Sequence, residues 1–305
     1  MAVSIIMKIA ILFLAMMAQT WAGHTVTLQV KRPNHSLLFK RESKTLEFRP
    51  NASLHWGIKV SGDYYYAEYG GKIKDTNYSN RSVGNNSYKS YRLGIPIQNF
   101  FFGLYYQEWE GFSSDENNGT GCDYCLDRPN LLSREGSVNI QYALNSSFSM
   151  KALNSNGSDG VNFANSWIFT GYYDRNKVRD AGGLLQGDAN SLFPTVSDLQ
   201  ILELRQLGLG LGHGLLYPFG NYYLGLSGLI GVGYQDNRLV YRDFSKSNKT
   251  GMATHWNVKV NIASQGKGFN YGVKGYFFAN LYSVAEDTNF AGLNYNLYLY
   301  TSYSW

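Results

Sequence analysis

Residues 293–305 alternate in chemistry with a period of two. The odd positions read Leu293, Tyr295, Leu297, Leu299, Thr301, Tyr303 and Trp305, and the even ones Asn294, Asn296, Tyr298, Tyr300, Ser302 and Ser304. Successive side chains of a strand point to opposite faces, so this segment has one mostly apolar face and one polar face. Its length is the constraint. A soluble strand averages about five or six residues, whereas one that crosses a bilayer needs about 9–11. Lipid offers the backbone no hydrogen-bond partner, so strands exposed to it survive only in a closed sheet.

Other segments repeat the pattern. Tyr222, Leu224, Leu226, Ile230, Val232 and Tyr234 oppose Tyr223, Gly225, Ser227, Gly231 and Gly233, with Leu229 as the exception. Leu207, Leu209 and Leu211 alternate with Gly208, Gly210 and Gly212. Near the start, Leu54, Trp56, Ile58 and Val60 oppose His55, Gly57, Lys59 and Ser61. A soluble β-sandwich is the alternative. Its strands would be shorter, and its apolar faces would not be matched so consistently with Asn, Lys and Gly. The composition favours the barrel: aromatics and charged residues are each 16% of 305 residues, with 25 Tyr and 33 Gly. Aromatic rings suit both membrane interfaces, and a lipid-facing surface excludes charge. Low charge and many aromatics exclude disorder. A mean hydropathy of −0.29 excludes a bundle of membrane helices.

The expected fold is therefore a closed, antiparallel, all-β transmembrane barrel of about twelve strands, with ten or fourteen as alternatives. The strands are drawn at 46–60, 63–73, 88–98, 100–112, 134–144, 147–154, 163–174, 200–215, 220–234, 252–263, 270–282 and 291–305. Closure is expected between the first and last of these. Residues 23–45 are read as a lead-in that adds a strand or hairpin at most. With the C-terminus in the periplasm, this count puts the turns near Asn99 and Ser146 outside and the long Cys-bearing loop inside. That is the reverse of the usual barrel, so either one strand is miscounted between 148 and 200 or the loops are atypical.

Residues 1–22 read as a signal peptide. Lys8 precedes the ten-residue apolar run from Ile9 to Ala18, too short to span a bilayer, and Thr20-Trp21-Ala22 supplies a cleavage site. Met7 begins an equally complete signal. Export permits disulfides, and the two cysteines, Cys122 and Cys125, sit in a polar stretch. A loop disulfide is favoured over redox use, and zinc lacks ligands because no second pair or nearby His exists.

Candidate chemistry centres on an echo. His55-Trp56-Gly57-Ile58-Lys59-Val60 and His255-Trp256-Asn257-Val258-Lys259-Val260 share H-W-x-[IV]-K-V. Strand parity sends His55, Lys59, His255 and Lys259 inward. With Lys274, Arg92 and Lys151 they would make a basic lumen that favours anions. The alternative is that these groups pair with inner carboxylates such as Glu68 and fill the barrel, helped by Tyr64, Tyr66, Tyr276, Tyr298 and Tyr300. A filled, narrow lumen is the preferred reading. Inner glycines are expected to make room for bulky neighbours such as Tyr276 and Tyr298. His213 continues an outward face and reads as interfacial. No catalytic residue, metal site or cofactor is assigned, and the scattered charge gives nucleic acid nothing to bind.

Several landmarks together resemble a family of uncharacterised bacterial outer-membrane proteins, domain of unknown function 4421. They are Phe48-Arg49-Pro50-Asn51, Tyr105-Tyr106-Gln107 with Gly111-Phe112, Asn145-Ser146-Ser147-Phe148-Ser149 with Ser166, and the glycine-rich run from Leu207 to Gly214. Their order, more than any one of them, carries the resemblance. The Cys122/Cys125 loop and the Asn-rich 154–162 segment depart from it. The resemblance implies an outer-membrane barrel and brings no activity. The period-two C-terminus resembles the insertion signal of outer-membrane proteins, which makes Tyr303 and Trp305 its recognition residues. The expected partners are outer-membrane lipid and the barrel-assembly machinery. The expected function is a structural or narrow, porin-like pore. A lipid-modifying enzyme and a loop-mediated surface binder or adhesin are the alternatives.

Overall fold

The computed structural model describes residues 24–50, 54–73, 87–116, 127–154, 160–186, 189–266 and 268–304. The strands are β1 (Thr25–Arg41), β2 (Lys44–Pro50), β3 (His55–Ser61), β4 (Tyr66–Lys72), β5 (Ser87–Ile97), β6 (Phe100–Glu116) and β7 (Asp127–Ala143). They continue as β8 (Ala164–Arg179), β9 (Leu199–Phe219), β10 (Tyr222–Tyr241), β11 (Lys246–Ser264), β12 (Gly268–Ser283) and β13 (Asn289–Ser304). Two short helices interrupt them, α1 (Met150–Asn154) between β7 and β8 and α2 (Ala189–Leu192) between β8 and β9.

All pairings are antiparallel and the sheet closes on itself through β1 and β13. β2 and β3 occupy the same edge of β1, one against residues 37–41 and the other against 25–31. Together they act as one interrupted strand, so the ring has twelve members. The expected closure between 46–60 and 291–305 is corrected. The segment read as a lead-in supplies β1, which lies between them and pairs with β13 from Thr25↔Ser304 to Lys40↔Asn289. Pro33 and a run of polar residues hid its alternation.

A second correction restores the loops. Residues 147–154, drawn as a strand, contain α1 instead. Losing that strand and gaining β1 keeps the count at twelve and reverses the sidedness of the N-terminal half. The turns at 98–99 and 144–149 now lie at the end that carries both chain ends. The end of β6 and the start of β7 lie at the opposite, loop end, as do the end of β8 and the start of β9. Cys122, Cys125 and Trp305 fall outside the described residues.

Faces follow parity. Leu209 is 74% exposed and Leu299 61%, with Leu207, Ile230, Val232, Trp56 and Ile58 also outward. Near the terminal end, Phe163, Tyr217, Phe219, Tyr222 and Tyr271 contact one another in sequence around the exterior. Tyr234 lies twelve residues above Tyr222 on β10 and is also exposed. At ~3.3 Å per residue and a tilt of ~45°, the two are separated by ~28 Å across the membrane, close to the hydrocarbon thickness. Above this band Arg175, Glu203, Arg205 and Asp236 form an outward ion-pair ladder. Among the described residues no helix is long and apolar enough to cross a membrane.

Inner glycines seat large side chains, though not the ones expected. Gly94 faces the Tyr66 ring, Gly208 and Gly231 face Tyr172, and Gly272 faces Tyr300. At Gly212 an added Cβ would collide with the Gly228 backbone carbonyl, which cannot rotate away. Gly212→Val is expected to push β9 from β10 and cost about 1–3 kcal/mol, read as a lower urea midpoint of the folded barrel.

Candidate functional site

Described side chains pack in buried clusters inside the barrel toward each end. At the terminal end residues 144–154 fold inward. Asn145 starts it, its Oδ1 accepting the Ser147 N–H (3.0 Å) and its own N–H donating to Ser166 Oγ (2.9 Å). Ser149 Oγ then accepts the Ala152 N–H at 3.1 Å, a helix cap that starts α1. Phe148 is fully buried, and an added Cβ at Gly214 would strike its ring. α1 packs in an apolar cluster with Phe101, Ile168, Leu216, Tyr223 and Tyr300.

The C-terminal end of α1 meets the basic cluster. Lys274 Nζ donates to the Asn154 carbonyl at 2.7 Å, and Lys59 Nζ to the same oxygen at 3.4 Å. Lys259 Nζ donates to Asn154 Oδ1 at 2.7 Å and to Gln141 Oε1 at 3.3 Å. Tyr223 and Asn261 both donate to the Ala152 carbonyl at 3.1 Å. Cations suit the exposed carbonyls at a helix C-terminus. Thus three lysines from three different strands hold one end of an internal plug.

The histidines do not join them. Four residues along a strand is ~13 Å, which puts His and Lys of the H-W-x-[IV]-K-V echo in different layers. His55 stacks on Tyr88 (4.2 Å, 17°). His255 stacks on Tyr172 and contacts Asp174 and Asn280 through Nδ1 (3.1 and 3.0 Å). Lys151 lies at the rim, 2.8 Å from Asp63, and Tyr64 is exposed, so neither belongs to the lumen cluster. His213 is outward and packs edge-on against Trp167.

Lys31 was missed because its strand was. It pairs with Glu68 at 3.4 Å and donates to Ser90 at 2.8 Å. Glu68 sits directly opposite Lys59 on one side and Arg92 on the other. The Arg92 guanidinium is boxed by the rings of Tyr105, Tyr276 and Tyr298, 4.6–5.5 Å from their centres.

Higher up, His35 Nδ1–H donates to Asn294 Oδ1 (2.6 Å) and Ser133 Oγ–H donates to His35 Nε2 (2.9 Å). Asn294 Nδ2 donates to Glu135 (2.7 Å), which fixes the amide orientation and hence the His35 tautomer. Nucleophile, base and orienting group are thus in hydrogen-bond reach. Ser133 is nevertheless 0% exposed, and the network serves as a cross-lumen strut between β1, β7 and β13.

The loop end holds a buried apolar cluster. Leu184, Leu185, Phe193 and Val196 descend from the 180–198 segment onto Leu37, Phe39, Phe48, Trp109 and Phe290. Arg128 holds this cap through Asp180 (2.6 Å) and the Leu184 carbonyl (2.8 Å). Arg41 adds Asp287 and the Leu192 carbonyl.

The family landmarks fall on these working parts. The Asn145–Ser149 run builds the plug, Gly214 receives it, and Tyr105 boxes Arg92. Gly111, at φ 83°, forms a bulge that turns Phe112 inward and lets the top of β6 pair with β2. The model of the domain of unknown function DUF4421 matches residues 20–305. The chain belongs to the DUF4421 family. No curated protein sequence matches it. Similar solved structures include the outer-membrane protease OmpT of Escherichia coli, with a TM-score of 0.39 and 8% identity over 94% of this chain and 98% of that one. The translocator domain of autotransporter NalP from Neisseria meningitidis gives 0.43 and 13% over 93% and 89%. The toluene transporter TodX of P. putida gives 0.29 and 9% over 94% and 91%. At such scores nothing of their activities transfers to this DUF4421 barrel.

Proposed function

We propose that this DUF4421 protein is a structural barrel of the bacterial outer membrane whose lumen is closed to ions. The observation that carries this reading is the lysine-held plug, which fills the terminal half of the lumen while a separate apolar cap fills the loop half. The exterior supports the location, since an apolar band between aromatic residues fits lipid and little else. Outer-membrane lipid is then the partner along the wall. The assembly machinery would read the period-two end at Tyr303 and Trp305 after removal of residues 1–22.

An open anion pore is the competing use of the same lysines. Planar-bilayer recordings separate the two. The wild type is expected to show no steady conductance, and Lys59→Ala with Lys259→Ala is expected to remain silent, because Lys274 and the apolar cluster still hold α1. A wild-type anion conductance that the double variant abolishes would overturn the sealed reading.

A further inference from the structure

Between plug and cap the lumen keeps a cavity of about 90 Å³, lined by Arg92, Lys259, Asn139, Asn257 and Asn296 among others, with Asn154 of the plug at its edge. We propose that this cavity binds one small oxyanion, of inorganic phosphate or carboxylate size. Two independent observations carry the proposal.

The first is charge. Lys31, Lys59, Lys259 and Lys274 are all buried, and Arg92 faces inward beside them. Among the described residues Glu68 is the carboxylate nearest them, and it pairs with Lys31. The described residues that line the cavity include two basic groups, Arg92 and Lys259, and no carboxylate, and a low-dielectric interior tolerates such a charge poorly unless a counter-charge is present. Lys259 donates to neutral amide oxygens, and no carboxylate among the described residues lies within 4 Å of the Arg92 guanidinium. Glu135 and Asp174, the other inner carboxylates nearby, are engaged with Asn294 and His255 in the next layer.

The second is unspent hydrogen bonding at the same place. Arg92 Nε, a donor, is buried without a partner beside this cavity. Buried polar atoms are seldom left so unless water or a ligand satisfies them. The volume has room for about three waters, enough for a four- or five-atom ion and too little for a sugar. Arg92 supplies the planar donor edge that suits an oxyanion, and its aromatic box holds that edge in place.

The test uses the full-length mature protein folded in detergent, unfolded with urea at matched ionic strength in sodium phosphate, acetate or chloride. Phosphate or acetate is expected to favour the folded form, raising the folded-to-unfolded ratio about tenfold for each tenfold of ligand above Kd. Arg92→Gln and Lys259→Gln are each expected to abolish the dependence. Ser137→Leu, which fills the cavity and leaves every charge, should abolish it too and decides the matter if the charge variants do not fold. A native mass spectrum after refolding in phosphate should carry one phosphate. Identical unfolding in all three salts with no adduct would overturn the proposal and leave the cavity to water. So would a phosphate dependence that survives both Arg92→Gln and Ser137→Leu. Conductance reads the seal and this titration reads the cavity, so either reading can fail alone.

Discussion

Replacing residues 145–162 with a tight turn, in a protein whose 181–197 segment is also shortened, is expected to turn a silent barrel into a conducting one. Neither excision alone should do so. The two seals act in series: α1 and its lysines close the terminal half, and Leu184, Phe193 and Val196 close the loop half. Single excisions therefore leave a blind well. Single-channel recording of the four proteins gives the answer. A steady pore in either single variant would mean that one seal leaks. Silence in the double variant would mean that the inner Tyr and Lys side chains collapse to fill the space.

The second large effect lies at Glu68. Glu68→Ala removes the carboxylate that faces Lys31, Lys59 and Arg92. Truncating one partner of a buried pair strands the other charge, at a cost of about 3–5 kcal/mol. Lys31→Met is expected to cost much less, because Glu68 keeps Lys59 and Arg92 opposite it and the thioether suits the neighbouring Tyr88 and Tyr298 rings. Urea unfolding of both variants gives the comparison. Equal losses would show that Lys31 and Glu68 behave as an isolated pair rather than as members of a cationic cluster.

Much of this architecture is legible in the sequence because parity is a strong signal where one face meets lipid. Leu207, Leu209 and Leu211 must point out once their glycines point in, and Lys59 and Lys259 follow from Trp56 and Trp256 in the same way. The signal fails where neither face meets lipid. Apart from Lys151 at the rim, α1 is buried inside the barrel, so its residues carry no outward apolar code, and five residues are too few for a helical period. β1 fails for a different reason. Pro33, Asn34, His35 and Ser36 break its alternation between the stretches that pair with β3 and with β2. The site shows the same division. The inward lysines were readable one strand at a time, whereas their meeting at Asn154 depends on a plug whose path no strand pattern encodes.

The seam between β1 and β13 also sets an order of events. It joins the first described strand to the last through sixteen paired positions, with almost the whole chain between them. Contacts so distant in sequence carry the largest loop-closure cost and form late. The plug, by contrast, hangs between β7 and β8, which are neighbours and can pair early. The wall is therefore drawn shut around contents already in place, and whatever the central cavity holds has to be aboard before the chain's two ends meet.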